Sequence, residues 1–155
     1  MIFKKLSKEQ VLPQVKQYCV YRERCHSEVK KKLYSLGLYK NDVEQLMAQL
    51  IEENYLNEER FAIQYAGGKF RMNQWGRVKI KYALRQKQVS EYSIKKALKQ
   101  ISENDYKRTL QKLAAQKLKT LKSETNVFSK KKKLQDYLLQ KGYERELVRE
   151  VILIT

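Results

Sequence analysis

Apolar residues along this chain recur every three or four positions, and the stretches between them are rich in Lys, Gln and Glu. This spacing is typical of amphipathic helices, whereas the alternation typical of strands is hard to find. Five glycines and one proline leave few helix breakers in 155 residues, and Pro13 falls near a predicted helix start. The C-terminal run Val-Ile-Leu-Ile-Thr would suit a strand, but we expect it to end a buried helix. The pattern therefore predicts an all-α fold.

The apolar pattern also repeats along the chain, which indicates tandem structural units. Seven apolar positions have apolar counterparts 51 residues later, and six of those have apolar counterparts after a further 54 residues, with Thr155 as the exception. The three sets are Val29, Leu33, Leu38, Val43, Leu46, Met47 and Leu50; Ile80, Leu84, Val89, Ile94, Ala97, Leu98 and Ile101; and Leu134, Leu138, Tyr143, Val148, Val151 and Ile152. We predict three tandem three-helix repeats over residues 1–55, 56–102 and 103–155. They would form an elongated, curved molecule of about nine helices, with the first two positions of each set facing inward.

The turns between the second and third helices of each repeat contain helix-start signals. Asn41 with Glu44 is predicted to form a capping box, and Ser90 is predicted to cap the equivalent helix of the second repeat. A turn position in each repeat holds glycine in the first and third copies and glutamine in the second: Gly37, Gln88 and Gly142.

The second repeat opens with the stretch YLNEERFAIQYA. Asn57 is predicted to be the N-cap of a helix, and Glu58 and Glu59 then lie in its first turn, where the helix dipole favours negative charge. These acids are explained by helix initiation and need no catalytic role. Gly67 and Gly68 follow in the same helix, each at a cost of about 1 kcal/mol against alanine. Close packing against another helix would compensate; a kink or a helix end at this point is the alternative.

Positive charge is concentrated in the second and third repeats. The chain carries 34 Lys and Arg against 17 Asp and Glu, a formal net charge of +17. Residues 60–90 contain eight basic and no acidic side chains, and such a field attracts polyanions such as nucleic acids. Lys130, Lys131, Lys132 and Lys133 lie at a predicted helix start, where the dipole disfavours cations. An anionic partner and a solvated loop end are both open explanations for that cluster.

Catalytic and metal-binding patterns are absent from the sequence. It contains no phosphate-binding glycine loop, no HExxH and no GxSxG. Cys19, Cys25 and His26 lack the spacing of zinc ligands, and the two cysteines are interpreted as reduced core thiols. We therefore expect no enzyme activity, no cofactor and no metal. No apolar run approaches the roughly 20 residues of a membrane span, and no secretory signal is evident, so a cytoplasmic protein is expected.

Two nucleic-acid alternatives follow from a basic helical repeat. Each unit could act as a helix-turn-helix with one helix in the major groove, but the middle helices have few Asn and Gln placed among arginines for base contacts. Phosphate contact without sequence reading is the better interpretation. An RNA-binding protein is also compatible with the charge, although most of the eleven tyrosines lie in helical apolar stripes, where they are more often core residues than stacking platforms.

Three segments, YLNEERFAIQYA, FRMNQWGRVKIKYALRQKQV and KKKLQDYLLQKGY, resemble the RecX family, bacterial regulators of the RecA recombinase. The likeness extends over nearly the whole chain and includes the Arg-Phe-Ala helix and the glycine before a basic helix. The chain departs from the family pattern at Asn57, where an acid is usual, and at Trp75, where a lysine commonly precedes Gly76. Lys87 and Gln88 stand where lysine and glycine are usual.

The resemblance implies a non-enzymatic modulator, mainly an inhibitor, of RecA in DNA repair, recombination and the SOS response. It would lie in the groove of the RecA–DNA filament and damp the ATPase, strand-exchange and coprotease activities. The expected partners are the RecA filament and single- and double-stranded DNA without sequence preference, and a monomer is expected. The alternative is a general basic DNA-binding repeat protein without a recombinase partner. The candidate binding residues are Arg60, Lys69, Arg71, Arg77, Lys79, Lys81, Arg85, Lys87, Lys130, Lys131, Lys132 and Lys133.

Overall fold

The computed structural model describes residues 6–155 and contains nine helices and no strand within that range. The predicted all-α fold of three-helix repeats is confirmed. The helices are α1 Lys8–Tyr21, α2 His26–Ser35, α3 Lys40–Glu52, α4 Glu58–Asn73, α5 Arg77–Gln86, α6 Glu91–Lys99, α7 Glu103–Thr120, α8 Val127–Gln140 and α9 Arg145–Leu153. Pro13 lies inside α1, and the C-terminal apolar run ends α9 as a helix. The repeat boundaries at residues 55 and 102 fall between helices and stay a prediction.

The predicted repeat register agrees with burial. All six residues expected to face inward are fully enclosed: Val29, Leu33, Ile80, Leu84, Leu134 and Leu138. Equivalent positions also make equivalent turn hydrogen bonds. The amides of Leu38, Val89 and Tyr143 donate to the carbonyls of Leu33, Leu84 and Leu138. The spacing of 51 and 54 residues therefore reflects one turn geometry used three times.

The same turn requires a left-handed backbone conformation at one position in each repeat. Gly37 and Gly142 have φ values of +91° and +100°, and Gln88 occupies the equivalent position of the second repeat at +63°. Glycine adopts this conformation without a steric penalty, whereas a residue with a Cβ does so at some cost. Gln88 is therefore the strained member of the three.

Two of the predicted helix caps are confirmed and one is wrong. The side chains of Asn57 and Ser90 accept from the amides of Arg60 and Ser93 and so cap α4 and α6. Asn41 is not a cap, because α3 begins at Lys40 and the N-cap position falls on Tyr39, whose side chain makes no capping hydrogen bond. The repeat geometry explains this, since the N-caps of α3, α6 and α9 are the equivalent positions 39, 90 and 144.

The two glycines in α4 do not mark a close helix contact, and this expectation was wrong. Helix α4 continues through both of them to Asn73. A Cβ on Gly68 would meet nothing within 4 Å, and one on Gly67 would meet only the flexible guanidinium of Arg71, at 2.6 Å. The close backbone approach lies instead at Gly76, where a Cβ would overlap the carbonyl of Gly142.

The hydrophobic core is divided in two. The first repeat has a core of its own, built from α1, α2, α3 and Leu56, whereas the second and third repeats share one continuous core. Polar contacts join the first repeat to the second: Arg60 Nε donates to Glu23 at 2.5 Å, and Ser27 Oγ donates to the carbonyl of Lys87 at 3.0 Å. The described contacts thus connect the first repeat to the second and the second repeat to the third, in linear order.

Candidate nucleic-acid interface

Helix α5 is the centre of the acid-free segment, and its N-terminus is held by the third repeat. Its N-cap is Gly76, which has no side chain to accept from the free amides of the first turn. Lys141, Tyr106 and Gly142 supply the acceptors instead. The Gly76 amide donates to the Lys141 carbonyl at 2.8 Å, the Arg77 amide to the Tyr106 hydroxyl at 2.9 Å, and the Val78 amide to the Gly142 carbonyl at 2.9 Å. A helix start that lacks its own cap is therefore completed by the neighbouring repeat.

Arg77 is part of this connection between repeats. Its guanidinium donates to Glu144 at 2.7 Å and to Glu103, and it lies 3.8 Å from the ring centre of Tyr106. Its side chain is only 20% exposed. Partial burial acts to lower the pKa of Arg77, but the hydrogen bond and charge of Glu144 raise it, so the net shift is upward. Arg77 has a structural role, and its role in binding stays a prediction.

Two other predicted arginines are also ion-paired. Arg60 bridges the first two repeats through Glu23 and the carbonyl of Asn54. Arg85 donates to both carboxylate oxygens of Glu91, at 2.5 and 3.1 Å, across the turn between α5 and α6. A guanidinium that is already bound to a carboxylate has less charge to offer an anionic partner.

Three of the predicted lysines lie beside aromatic rings and are not paired with carboxylates. The ammonium groups of Lys69 and Lys79 lie 4.9 and 4.7 Å from the ring of Trp75. Lys87 lies 5.6 Å from the ring of Tyr65. Cations at these distances are attracted to the ring face. The structure therefore brings together residues that are up to 22 positions apart in the chain, from 65 to 87.

Beside these lysines a groove of about 650 Å³ runs between the first two repeats. Helix α2 and its N-cap form one wall, and Trp75 with α5 and its C-cap forms the other. The groove is lined by Cys25, Ser27, Glu28, Lys31, Trp75, Lys79, Tyr82, Ala83, Gln86 and Lys87. We call it the inter-repeat groove. Trp75 and Tyr82 were not among the binding residues predicted from the sequence. The sequence offered one signal for Trp75, because the only tryptophan of the chain lies within the acid-free run.

The remaining predicted cations lie elsewhere. Lys81 lines a separate cleft with Lys95 and Lys99, and Arg71 is exposed on α4. On α8, Lys132 pairs with Asp136 at 3.4 Å and Lys133 with Glu124 at 2.5 Å. None of the four consecutive lysines lines the inter-repeat groove. Seven of the twelve predicted cations make no ion pair with any residue from 6 to 155: Lys69, Arg71, Lys79, Lys81, Lys87, Lys130 and Lys131.

The other predicted features of the sequence can be located as well. Cys19 and Cys25 are buried, unbridged thiols, as predicted. The part of the chain that the structure describes contains no group of three His, Cys, Asp or Glu placed to hold a metal ion. Among its helices, none combines the length and the apolar character needed to cross a membrane.

Two family models match this chain over more than half its length. The model for the second three-helix domain of RecX matches residues 57–98, and that for the third matches residues 104–152. These ranges cover nearly all of α4 to α6 and of α7 to α9.

Similar proteins lead to the same family. A regulatory protein RecX of Clostridium perfringens is 34% identical over 130 residues, which are 83% of this chain and 60% of that protein. One from Prosthecochloris aestuarii is 27% identical, over 87% of this chain and 86% of its own length. The crystal structure of RecX from Lactobacillus salivarius superposes with a TM-score of 0.85 at 22% identity, covering 95% of each chain. This chain spans about 60% of the clostridial relatives it matches, and it belongs to the RecX family.

Proposed function

We propose that this chain regulates the RecA recombinase by binding in the groove of the filament that RecA forms on DNA. It acts without catalysis, mainly as an inhibitor, and damps the ATPase, strand-exchange and coprotease activities. Its partners are the RecA filament and single- or double-stranded DNA, recognised without sequence preference. It works in the cytoplasm as a monomer.

The observation that carries this proposal is the linear order of three repeats with unpaired cations on the second and third. A partner that is itself a repeating helical polymer on DNA offers matching contacts to a linear molecule. The seven unpaired cations defined above are available to phosphates or to acidic side chains on such a partner, because none of them makes an ion pair with a described carboxylate. Membership of a family of regulators supports the regulatory part of the proposal.

The direct test is ATP hydrolysis by the cognate recombinase on single-stranded DNA, measured with increasing amounts of this chain. We expect hydrolysis to fall to a plateau at a ratio well below one chain per recombinase subunit if each molecule spans several subunits. Hydrolysis that is unchanged at every ratio would exclude the proposed modulation.

A charge-neutralised variant separates the filament regulator from a general DNA-binding protein. This variant changes four unpaired cations outside the inter-repeat groove to Gln, a residue of good helix propensity. The four positions are Arg71, Lys81, Lys130 and Lys131. Arg77 and Arg85 are left unchanged because their ion pairs support the structure. A control variant removes the same charge from α7 and the turn that follows it, at Lys107, Lys112, Lys119 and Lys122.

We expect the wild type to bind the recombinase-coated strand more tightly than the bare strand at one fixed salt concentration. The first variant should lose control of hydrolysis while its circular dichroism is unchanged, and the α7 control should keep most of it. Parallel losses of bare and coated binding in both variants would instead indicate attraction by net charge alone, as expected of a general DNA-binding repeat protein.

A further inference from the structure

We infer that the inter-repeat groove is a binding site for single-stranded nucleic acid, in which a base stacks on Tyr82 and lysines contact the adjoining phosphates. The inference rests on the proposed function in one respect, namely that the strand belongs to a recombinase–DNA filament. It adds a location, a preference for unpaired strands and a mode of recognition that charge alone does not supply.

Tyr82 offers an aromatic face in the required place. The residue is 66% exposed and lines the groove, and no described cation lies over its ring. By contrast Tyr92, which is also 66% exposed, lies outside the groove and has Lys96 5.4 Å from its ring centre. Stacking of bases on aromatic side chains is a main source of affinity for single strands, since every base has a π-face.

The charge of the groove favours a polyanion. Lys31 from α2 and Lys79 and Lys87 from the other wall make no ion pair with a described residue. The one carboxylate in the lining, Glu28, is neutralised by its own partners. Its Oε2 accepts from Arg22 at 2.9 Å and from Arg24 at 3.0 Å, so it does not oppose an approaching phosphate.

The spacing along α5 fits a short stretch of backbone. Lys79, Tyr82 and Gln86 follow one another at helical intervals of three and four, and Lys79 and Lys87 are about 12 Å apart along the helix axis. One strand of B-DNA carries a phosphate about every 3.4 Å, and an unpaired strand is at least as extended, so this length spans at most about three or four phosphates. A stacked base between flanking phosphate contacts requires an unpaired strand, because the bases of a duplex are already stacked on each other. This argues for single-stranded nucleic acid over a duplex and, because of the aromatic platform, over an acidic peptide.

Trp75 provides a spectroscopic test, because it is the only tryptophan and lines the groove. The full chain is titrated with an oligothymidylate of about 12 nucleotides, without recombinase, and tryptophan fluorescence is followed. We expect saturable quenching, weaker binding of the corresponding duplex, and no comparable quenching by polyglutamate. Because no recombinase is present, the outcome is independent of the hydrolysis assay, and either result can fail while the other holds.

Paired variants assign the binding to the groove. Tyr82→Ala should weaken oligothymidylate binding by about 5- to 150-fold, the range for loss of one base stack, and Tyr82→Phe should retain it. Tyr92→Ala is the matched control and should bind as the wild type does. Lys31→Gln and Lys79→Gln should each reduce the slope of log affinity against log salt by about 0.7.

Three results would overturn the inference. Equal effects of Tyr82→Ala and Tyr92→Ala would show that no base stacks at the groove. If duplex and single strand bind with equal affinity and are equally sensitive to Tyr82→Ala, binding is explained by phosphate contacts alone. Polyglutamate that quenches Trp75 and displaces the oligonucleotide at similar concentrations would identify a groove for acidic peptides.

Discussion

Gly76 and Gly142 lie in direct backbone contact, and this contact joins the second repeat to the third. Gly76 caps α5, and Gly142 is the left-handed turn residue between α8 and α9. The carbonyl of Gly142 accepts from the Val78 amide at 2.9 Å, and a Cβ on either glycine would overlap atoms of the opposite segment. Neither position has space for a side chain.

Gly76→Ala is therefore expected to destabilise the protein by about 1–3 kcal/mol or more. This is the usual cost of forcing extra atoms into a packed site. Gly68→Ala, where a Cβ meets nothing within 4 Å, is the control and should raise stability by about 1 kcal/mol through helix propensity. Urea unfolding followed by circular dichroism measures both changes. Equal stabilities for the two variants would contradict the close contact at Gly76.

At the left-handed turn positions, replacing glycine by a larger residue should lower stability, and replacing a larger residue by glycine should raise it. Gly37→Ala should lower the free energy of unfolding by about 1 kcal/mol, since no atom lies within 4 Å of its Cβ position and only backbone strain is added. Gln88→Gly should raise it by up to about 1 kcal/mol, because relief of strain exceeds the added flexibility of the unfolded chain. Thermal and urea unfolding of both variants test the pair; a stabilising Gly37→Ala would be inconsistent with the turn.

The hydroxyl of Tyr106 is predicted to stabilise the junction of the second and third repeats. It donates to Glu144 and accepts from the Arg77 amide, and the residue is fully buried. Burial, with the hydrogen bond to Glu144, raises the pKa of Tyr106, so the hydroxyl stays protonated. Tyr106→Phe removes the acceptor of the Arg77 amide and one of the two donors to Glu144, and should cost about 1–3 kcal/mol. Tyr82→Phe, at an exposed ring, is the control and should change stability by less than about 0.5 kcal/mol. Equal effects in urea unfolding would show that the junction does not depend on this hydroxyl.

Glu58 is expected to make stability depend on pH. Its carboxylate accepts from the hydroxyls of Ser90 and Ser93, which join α4 to α6. Partial burial acts to raise the pKa of Glu58, but these hydrogen bonds lower it below the usual value on balance. A depressed folded pKa contributes stability above the unfolded pKa of about 4.3, and the contribution is lost as pH falls through the folded value.

We therefore expect Glu58→Gln to be less stable than the wild type at pH 7, with a difference that shrinks as the pH falls below about 4. Unfolding by urea at a series of pH values measures this difference. Glu52→Gln, at an exposed carboxylate without a described ion-pair partner, is the control and should change the free energy of unfolding at pH 7 by less than about 0.5 kcal/mol. A difference between Glu58→Gln and wild type that is constant with pH would argue against the hydrogen-bonded carboxylate.

The sequence by itself determined the helices, the repeat register and the caps at Asn57 and Ser90. These follow from short-range physics, because apolar spacing fixes which face of a helix is buried and a polar N-cap bonds amides only two or three residues away. The position of Leu84 in the core could thus be read from its spacing to Ile80. The misplaced cap at Asn41 shows the limit, since the turn geometry of the repeat overrode a locally favourable residue.

Only the tertiary structure decided which cations are available and where the repeats touch. Arg77, Lys79 and Lys81 look alike along the chain, yet Arg77 is bound to acids 26 and 67 residues away, Lys79 lies over Trp75, and Lys81 lines another cleft. The partners that distinguish them come from other helices, and electrostatic and aromatic contacts depend on distance in space rather than on spacing in sequence. For the same reason the contact of Gly76 with Gly142, 66 residues later, and the groove between α2 and α5 appear only when the repeats are packed.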